Sequence, residues 1–372
     1  MDPDRPQRIA RLTPLADVLA RLDALLAPVA PRLAELSAAR GRTLAQDVVV
    51  ASAIPPAARA LRDGWAVPSD LTIDASGYAP APLPFALRLD AGEPLPDGAD
   101  AVAPLDAVAL RDGVGHALAP VSPGEGVLPA GADGAAGATF LPAGRHLGGV
   151  EIALLTAAGV AAISVRAPRL RLVRVGRADD AVIDAAIGYL ADAVECQGGV
   201  PAIAAQEGFA DALAVADADA VIVVGGTGSG RRDVTVRTIA SVGAVLVHGV
   251  ALLPGETTAL GTVGTRPVLA VPGRLDAALA AWHLLGRAML ARLAGNRETP
   301  PPMRTARLTH KLSSPVGLSE LVPVRCEGLS ATPIASGYVP LAALAQANGW
   351  VLIGADSEGY PAQSEVVIRP WP

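Results

Sequence analysis

The chain has 372 residues, more than one hydrophobic core usually organises, so two to four domains are expected. Half of the residues are apolar, yet Gly, Pro or charge interrupts every apolar run well before the roughly 20 residues that a membrane span needs, which excludes a transmembrane helix. A net charge of −6 and 3% aromatic content offer neither a basic surface for a phosphate backbone nor platforms for stacking bases; nucleic acid is excluded as a partner, and any anion must be held locally.

Met1 to Pro14 carries Asp2, Asp4, Arg5, Arg8 and Arg11 with no apolar core behind them, so it lacks the layout of a secretory signal, and the cytoplasm is the expected compartment. Leu19, Leu22, Leu25, Leu26, Val29 and Leu33 recur at three- and four-residue spacings, which predicts a packing helix over Pro14 to Arg40, or two interrupted by Pro28 and Pro31. From Ala51 to Thr139 short β-prone segments alternate with Pro and Gly, the texture of a small all-β module. Over Leu141 to Val165 a helical pattern returns, with Ile152, Leu154, Leu155 and Ala158 on one side and Gly159 as a stop. This order predicts a β-domain inserted between two helical parts of one domain.

Arg169 to Arg292 alternates strand and helix: strands at Leu170–Val175, Ala220–Val224, Ala244–Val247 and Val268–Val271, helices at Ala181–Cys196, Val234–Val242 and Leu275–Leu293. Such alternation predicts a parallel sheet covered by helices on both faces. After the linker Thr299-Pro300-Pro301-Pro302, strand signals at Leu321–Arg325, Trp350–Ile353 and Val366–Arg369 predict a terminal β-domain. Cys196 and Cys326 lie far apart, without a His or Cys at ligand spacing, so both are expected to be buried small apolar residues.

The strongest local feature is the buried run Val221-Ile222-Val223-Val224 followed by Gly225-Gly226-Thr227-Gly228-Ser229-Gly230-Arg231-Arg232-Asp233 and then a helix. Glycines let the main chain approach an anion, helix-start amides donate to phosphate oxygens, and ligands of open α/β sheets collect at such strand ends. The spacing fits neither a Walker A loop nor a dinucleotide fingerprint, so a tight βα turn without a ligand stays open. Leu253-Pro254-Gly255-Glu256-Thr257-Thr258 and Val271-Pro272-Gly273-Arg274 also follow strand-like segments, so three loops are candidates to converge at one end of the sheet. Asp63-Gly64 and Asp133-Gly134 have ordinary turn composition, and the five histidines show no ligand or triad spacing.

The order of these motifs resembles the molybdopterin molybdenumtransferases, the MoeA type and the E domain of gephyrin, over nearly the whole chain. Arg62-Asp63-Gly64-Trp65-Ala66-Val67 is similar to the family's Met-Asp-Gly-Tyr-Ala segment. Ala91 to Val102 is similar to its Gly…Pro-x-Gly-Ala-Asp-Ala-Val stretch, and Gly131-Ala132-Asp133 stands where the family has Gly-Glu-Asp. Leu141-Pro142-Ala143-Gly144 through Gly159-Val160 resembles its Pro-Ala-Gly-Thr…Gly-Ile segment. Gly225 to Asp233 resembles its Gly-Gly-Val-Ser-x-Gly loop, Pro254-Gly255 its Lys-Pro-Gly-Lys turn, Val271-Pro272-Gly273 its Leu-Pro-Gly-Asn-Pro turn, and Ala335-Ser336-Gly337 with Ala347-Asn348-Gly349 its terminal pattern.

The resemblance implies a multidomain α/β plus β fold. Its parts are a segmented N-terminal domain (1–50 and 140–167), an inserted β lid (51–139), a three-layer molybdopterin-binding α/β domain with a parallel-type sheet (168–298) and a C-terminal β-barrel-like domain (299–372). It further implies an elongated homodimer with the site between subunits, and insertion of molybdate into molybdopterin or adenylated molybdopterin with release of AMP, helped by Mg2+. Asp63, Asp133 and Asp233 then become candidate catalytic acids, the first two on the metal. The ligand side is assigned to Gly225, Gly226, Thr227, Gly228, Ser229, Gly230, Arg231, Pro254, Gly255, Thr257, Pro272, Gly273, Arg274 and Ser336.

Departures from the family pattern define the alternatives. Its two lysines around Pro-Gly are Leu253 and Glu256 here, its Gly-Asp-Glu is Gly176-Arg177-Ala178, its Asn-Pro is Arg274-Leu275, and Arg231 takes an acidic position. Loss of lysine removes a cation that an oxyanion needs, while Arg177, Arg231 and Arg274 are candidates to restore charge as planar forks rather than point charges. The alternatives to a transferase are a catalytically silent protein that binds molybdopterin or the finished cofactor for a client molybdoenzyme, and a scaffold.

Overall fold

The computed structural model describes residues 7–177, 179–204, 208–297 and 303–370, so the expected Thr299–Pro302 linker lies outside the described residues. The chain divides into two compact units, one made of Asp47–Ala143 and the other of the residues on either side.

The Asp47–Ala143 unit is all β apart from short 3-10 turns. Strand Gly64–Val67 pairs antiparallel with Leu87–Leu89 and Ala101–Ala103, and Val114–Ala117 pairs with Ala81–Pro82 and Val108–Arg111. Frequent prolines, which cannot donate to a ladder, keep these strands to two to four residues. Asp112-Gly113, both at positive φ, makes the tight hairpin between Val108–Arg111 and Val114–Ala117. Val67, Leu83, Ala101, Ala103, Val108, Ala117 and Val121 form a buried cluster in this unit.

In the other unit, helix Leu15–Leu25 buries Leu15, Val18 and Leu22 against the main core. The helical reading does not extend to Arg40. Arg32–Glu35 is a strand paired with Ala162–Arg166, only Leu36–Ala39 is helical beyond it, and Leu33 is 77% exposed. Pro28 and Pro31 lack the amide that a continuing helix needs and bias their predecessors towards extended backbone. Helix Gly149–Ala157 forms as expected, with the Glu151 carboxylate accepting from the Gly148 amide at its start. Leu155 is buried but Leu154 is exposed, because adjacent helical residues point about 100° apart.

The central layer of this unit comprises β1 (Arg169–Arg174), α1 (Ala181–Cys196), β2 (Val200–Ile203), α2 (Phe209–Ala214), β3 (Ala220–Val224), α3 (Thr235–Val242), β4 (Ala244–His248), β5 (Ala259–Val263), β6 (Arg266–Val271) and α4 (Leu275–Ala281). The sheet order is β2-β1-β3-β6-β5-β4. β2, β1, β3 and β6 run parallel, whereas β6-β5-β4 are antiparallel. The sheet is therefore mixed rather than wholly parallel. The two-residue loop Gly264-Thr265 between β5 and β6 leaves no room for a crossover helix, so these strands must reverse.

Alternation along β3 divides the core. Ile222 and Val224 pack with Ile183, Leu190, Leu285 and Met289 on one face, and Val221 and Val223 pack with Leu213, Val236 and Ile239 on the other. After α4 the helix continues through a π turn, Trp282–Gly286, into α5 (Arg287–Ala294), where Gly295 in the left-handed region ends it.

The terminal β-domain is a closed barrel of β7 (Arg304–Leu308), β8 (Ser319–Glu327), β9 (Ser330–Pro333), β10 (Gly349–Ile353) and β11 (Glu365–Pro370), because β8 pairs with both β9 and β10. Leu252–Leu253 extends alongside the start of β8, placing Leu253 opposite Glu320. Cys326 is buried in the barrel core, but Cys196, the last residue of α1, is exposed. No helix among the described residues is long and apolar enough to cross a membrane.

Candidate functional site

β3 is buried along its whole length and stops at Gly225, where the chain turns with φ of +97° and then +68° at Gly226. Only glycine adopts this pair without strain. The Gly225 amide donates to the Val271 carbonyl at 2.9 Å, which ties the loop to the end of β6. Thr235 at the start of α3 closes it from the other side: its hydroxyl donates to the Gly225 carbonyl at 2.7 Å and its amide to the Gly226 carbonyl at 3.0 Å.

Asp233, expected to be a catalytic helper, is a clasp of this loop. Its Oδ2 accepts from the Gly230 amide at 2.7 Å, and a Cβ at Gly228 would come within 2.7 Å of that same oxygen.

The helix-start amides expected to receive phosphate are already taken. Gln7, 6% exposed, accepts through Oε1 from the amides of Val236 (3.1 Å) and Arg237 (3.3 Å). Its Nε2 donates to the carbonyls of Gly226 (2.8 Å) and Gly228 (2.7 Å). One carboxamide thus caps α3 and fixes the loop, a role that sequence reasoning missed because 219 residues separate the partners. The main-chain amides of Gly226, Thr227, Gly228 and Ser229 have no partner among the described residues. The anion-binding capacity of the turn therefore sits in the loop rather than at the helix end. Gln7→Ala is expected to cost about 2 kcal/mol, since it strands one buried and one partly buried donor. Amide exchange at Val236 and Arg237 should accelerate by about tenfold or more relative to α1, and unchanged exchange at both would refute the capping role.

The other two turns meet this loop. Thr257 Oγ1 lies 2.8 Å from Thr227 Oγ1, so the buried Thr227 hydroxyl expected to face a ligand instead fastens the second turn to the first. His248 Nε2 lies 3.2 Å from the Thr227 carbonyl. Gly255 has a φ of +128° after Pro254, and Thr258 donates to its carbonyl at 2.7 Å. Gly273 packs so closely that its Cβ position is 3.4 Å from the Gly225 Cα.

From the third turn, Arg274 bonds Asp276 through Nε at 3.1 Å and lies over the Tyr338 ring at 4.8 Å. Asp276 holds this guanidinium above its usual pKa, with Glu256 adding a smaller contribution. Asp276 also accepts from the Val339 amide at 3.0 Å, linking the turn to the barrel loop that carries Ser336. Ser336 and Gly337 both donate to Oε1 of the fully buried Glu320, at 2.6 and 2.8 Å. Glu320, Asp276 and Tyr338 carried no sequence signal, being conspicuous only through these contacts.

The candidate replacement cations are unevenly placed. Arg177 pairs with Asp179, which cancels its charge locally, and Arg274 is held by Asp276. Exposed Arg231, with Arg232 beside it, has no ion-pair partner among the described residues. Glu256 turns back to accept from the Gly255 amide at 3.0 Å.

Asp63 and Asp133 belong to the Asp47–Ala143 unit. Asp63 is exposed and accepts from the Ala91 amide at 2.8 Å through one oxygen, immediately before Gly64, where any side chain would run into the Ala103 carbonyl. Asp133 is also exposed, and its amide donates to the Ile54 carbonyl at 2.9 Å. No group of three or more potential metal ligands occurs among the described residues.

Residues 13–159 match the model of the MoeA N-terminal region (domain I and II), and residues 196–292 that of a probable molybdopterin binding domain. A molybdopterin molybdenumtransferase 2 of Mycobacterium tuberculosis is 28% identical over 91% of this chain and 94% of that protein. A molybdopterin molybdenumtransferase of Haemophilus influenzae is 25% identical over 94% and 96%. Among solved structures, a molybdopterin biosynthesis moeA protein from Pyrococcus horikoshii superimposes with a TM-score of 0.82 at 24% identity, covering 97% of this chain and all of the other. A second structure of a moeA protein from Pyrococcus has a TM-score of 0.78 at 27% identity. With both family regions matched, relatives aligned almost end to end and the fold shared throughout, the chain belongs to the MoeA-type molybdopterin molybdenumtransferase family, as a divergent member.

Proposed function

We propose that this chain works in molybdenum cofactor biosynthesis, inserting molybdate into adenylated molybdopterin with release of AMP, as a cytoplasmic homodimer that passes its product to a molybdoenzyme client. The observation that carries this reading is the meeting of the glycine loop with two Pro-Gly turns at the carboxyl end of the sheet, around main-chain amides that have no partner among the described residues. These amides donate to the phosphate of the pterin, Arg231 and Arg232 supply charge at the open side, and Ser336, whose hydroxyl proton goes to Glu320, borders the site on the barrel side.

The donor chemistry fits magnesium held mainly by substrate. Asp63 keeps one oxygen uncommitted, Asp133 is open to solvent, and magnesium ordinarily takes one or two carboxylates together with phosphate oxygens and water. The metal, when bound, offsets the charge of the phosphates. Glu256, folded back on its own turn and facing Arg274, repels an incoming oxyanion less than a free carboxylate does, which tempers the loss of the lysines.

The test is purified protein with adenylated molybdopterin, molybdate and magnesium, followed by AMP quantification. AMP release that falls by about 100-fold or more in Asp63→Asn is expected. Tight binding with no AMP from the intact protein would replace the transferase by a silent carrier.

A further inference from the structure

We propose that the cavity between helix Leu15–Leu25, the π turn with α5, and the rim of the barrel is a second ligand site, for a small organic anion with an apolar body, such as an aryl carboxylate. None of its lining residues belongs to the three turns described above, so it stands apart from the molybdopterin site. The cavity measures about 700 Å³, within the range of sites for small organic molecules.

Its walls and its charge select the ligand. Leu15, Leu19, Leu284 and Leu352 supply apolar surface, which takes up hydrocarbon rather than an inorganic ion. Two guanidinium groups, Arg287 and Arg369, also line it, and no lining residue among the described residues is acidic. Arg369 lies over the Trp350 ring at 4.9 Å, and burial lowers its pKa. Neither arginine has a carboxylate partner among the described residues, although the protein as a whole carries a net charge of −6. A partly desolvated cation without a counter-ion favours an anion at that place.

The inner wall is uncharged. His283, 7% exposed, lies 3.1 Å from the Tyr189 hydroxyl through Nε2, and its ring centroid is 5.6 Å from that of Trp350. The helix that carries His283, Leu284 and Arg287 is widened here into a π turn, and Gly286 is obligatory because a Cβ would strike the Trp282 ring. Such turns carry the cost of an irregular hydrogen-bond ladder and concentrate at ligand sites. Apolar walls, two cations without a carboxylate partner among the described residues and a neutral polar pair thus define an amphiphilic anion.

The probe is 8-anilinonaphthalene-1-sulfonate, titrated by fluorescence into the full chain at neutral pH. Saturable binding of one dye per chain is expected, displaced by 3-phenylpropionate but not by the uncharged 3-phenylpropanol. Arg287→Gln and Arg369→Gln should each weaken it by about tenfold, while Gly228→Ala in the glycine loop leaves it unchanged. Near-ultraviolet circular dichroism identical to that of the parent protein shows that the variants are folded. Non-saturable dye binding, affinity within twofold of the parent in both arginine variants, or equal displacement by acid and alcohol would each overturn the proposal.

Discussion

Gly225→Ala is expected to weaken molybdopterin binding by more than about 100-fold and to destabilise the α/β unit by about 3 kcal/mol. At a φ of +97° an L side chain is strained, and the new Cβ would run into the Val175 carbonyl while lying 3.2 Å from the Ile183 side chain. Neither neighbour gives way easily, since Val175 continues β1 and Ile183 is part of the main core. The chain must therefore back away from β6, which breaks the Gly225–Val271 hydrogen bond and carries the four unpartnered amides of the loop out of register. Gly188→Ala is the matched control: it lies within α1 with nothing inside 4 Å of its Cβ position, and a gain of about 0.5–1 kcal/mol is expected there. Urea midpoints and equilibrium binding of molybdopterin measure both, and a Gly225→Ala protein that binds and unfolds like the control would remove the glycine loop as the ligand site.

The second large effect concerns acid. Burial, with a smaller contribution from Arg287, pushes His283 down to about 4 from its ordinary 6.5. Its neighbour Tyr189, raised to about 12 by burial, stays neutral throughout this range. Between pH 6.5 and about 4 the unfolded chain takes up a proton on this imidazole and the folded chain does not, so unfolding becomes easier as pH falls. The stabilisation is present in full above pH 6.5 and is lost by about pH 4, about 3 kcal/mol in all. Carboxylates contribute their own acid sensitivity, Glu151 among them, held below its usual range by Arg145. The informative quantity is therefore the difference from His283→Gln, which keeps a polar group towards Tyr189 but does not titrate. From pH 7 to pH 4 the parent should lose about 3 kcal/mol more than the variant in urea unfolding followed by tryptophan fluorescence; parallel losses would show that His283 is not sequestered from protons.

Particular elements show how far local sequence reaches. The wholly buried run Ala220–Val224 could be read as a core strand because its composition leaves no polar face, and Gly225-Gly226 as a special turn because two glycines in succession mark backbone that other residues avoid. The barrel strands β8, β10 and β11 were legible as short runs rich in Val, Leu and Ile. By contrast, β5 escaped notice, because its Ala-Leu-Gly-Thr-Val composition is weak and its place depends on pairing with β4 and β6. Leu33 was misread because helical spacing persists through two prolines that end the helix.

The candidate site divides in the same way. That Gly225 to Gly230, Pro254-Gly255 and Pro272-Gly273 are turns after strands follows from residue chemistry within each segment, since steric limits on φ act over a few neighbours. Which groups in those turns remain open to a ligand was decided only by tertiary structure. Gln7 covers the start of α3, Thr257 takes the Thr227 hydroxyl, Asp233 clasps Gly230, and Asp179 and Asp276 neutralise Arg177 and Arg274. Backbone conformation is a local property that the chain carries in its order, whereas a hydrogen-bond partner or counter-charge is fixed by distances of about 3 Å between residues that folding alone brings together.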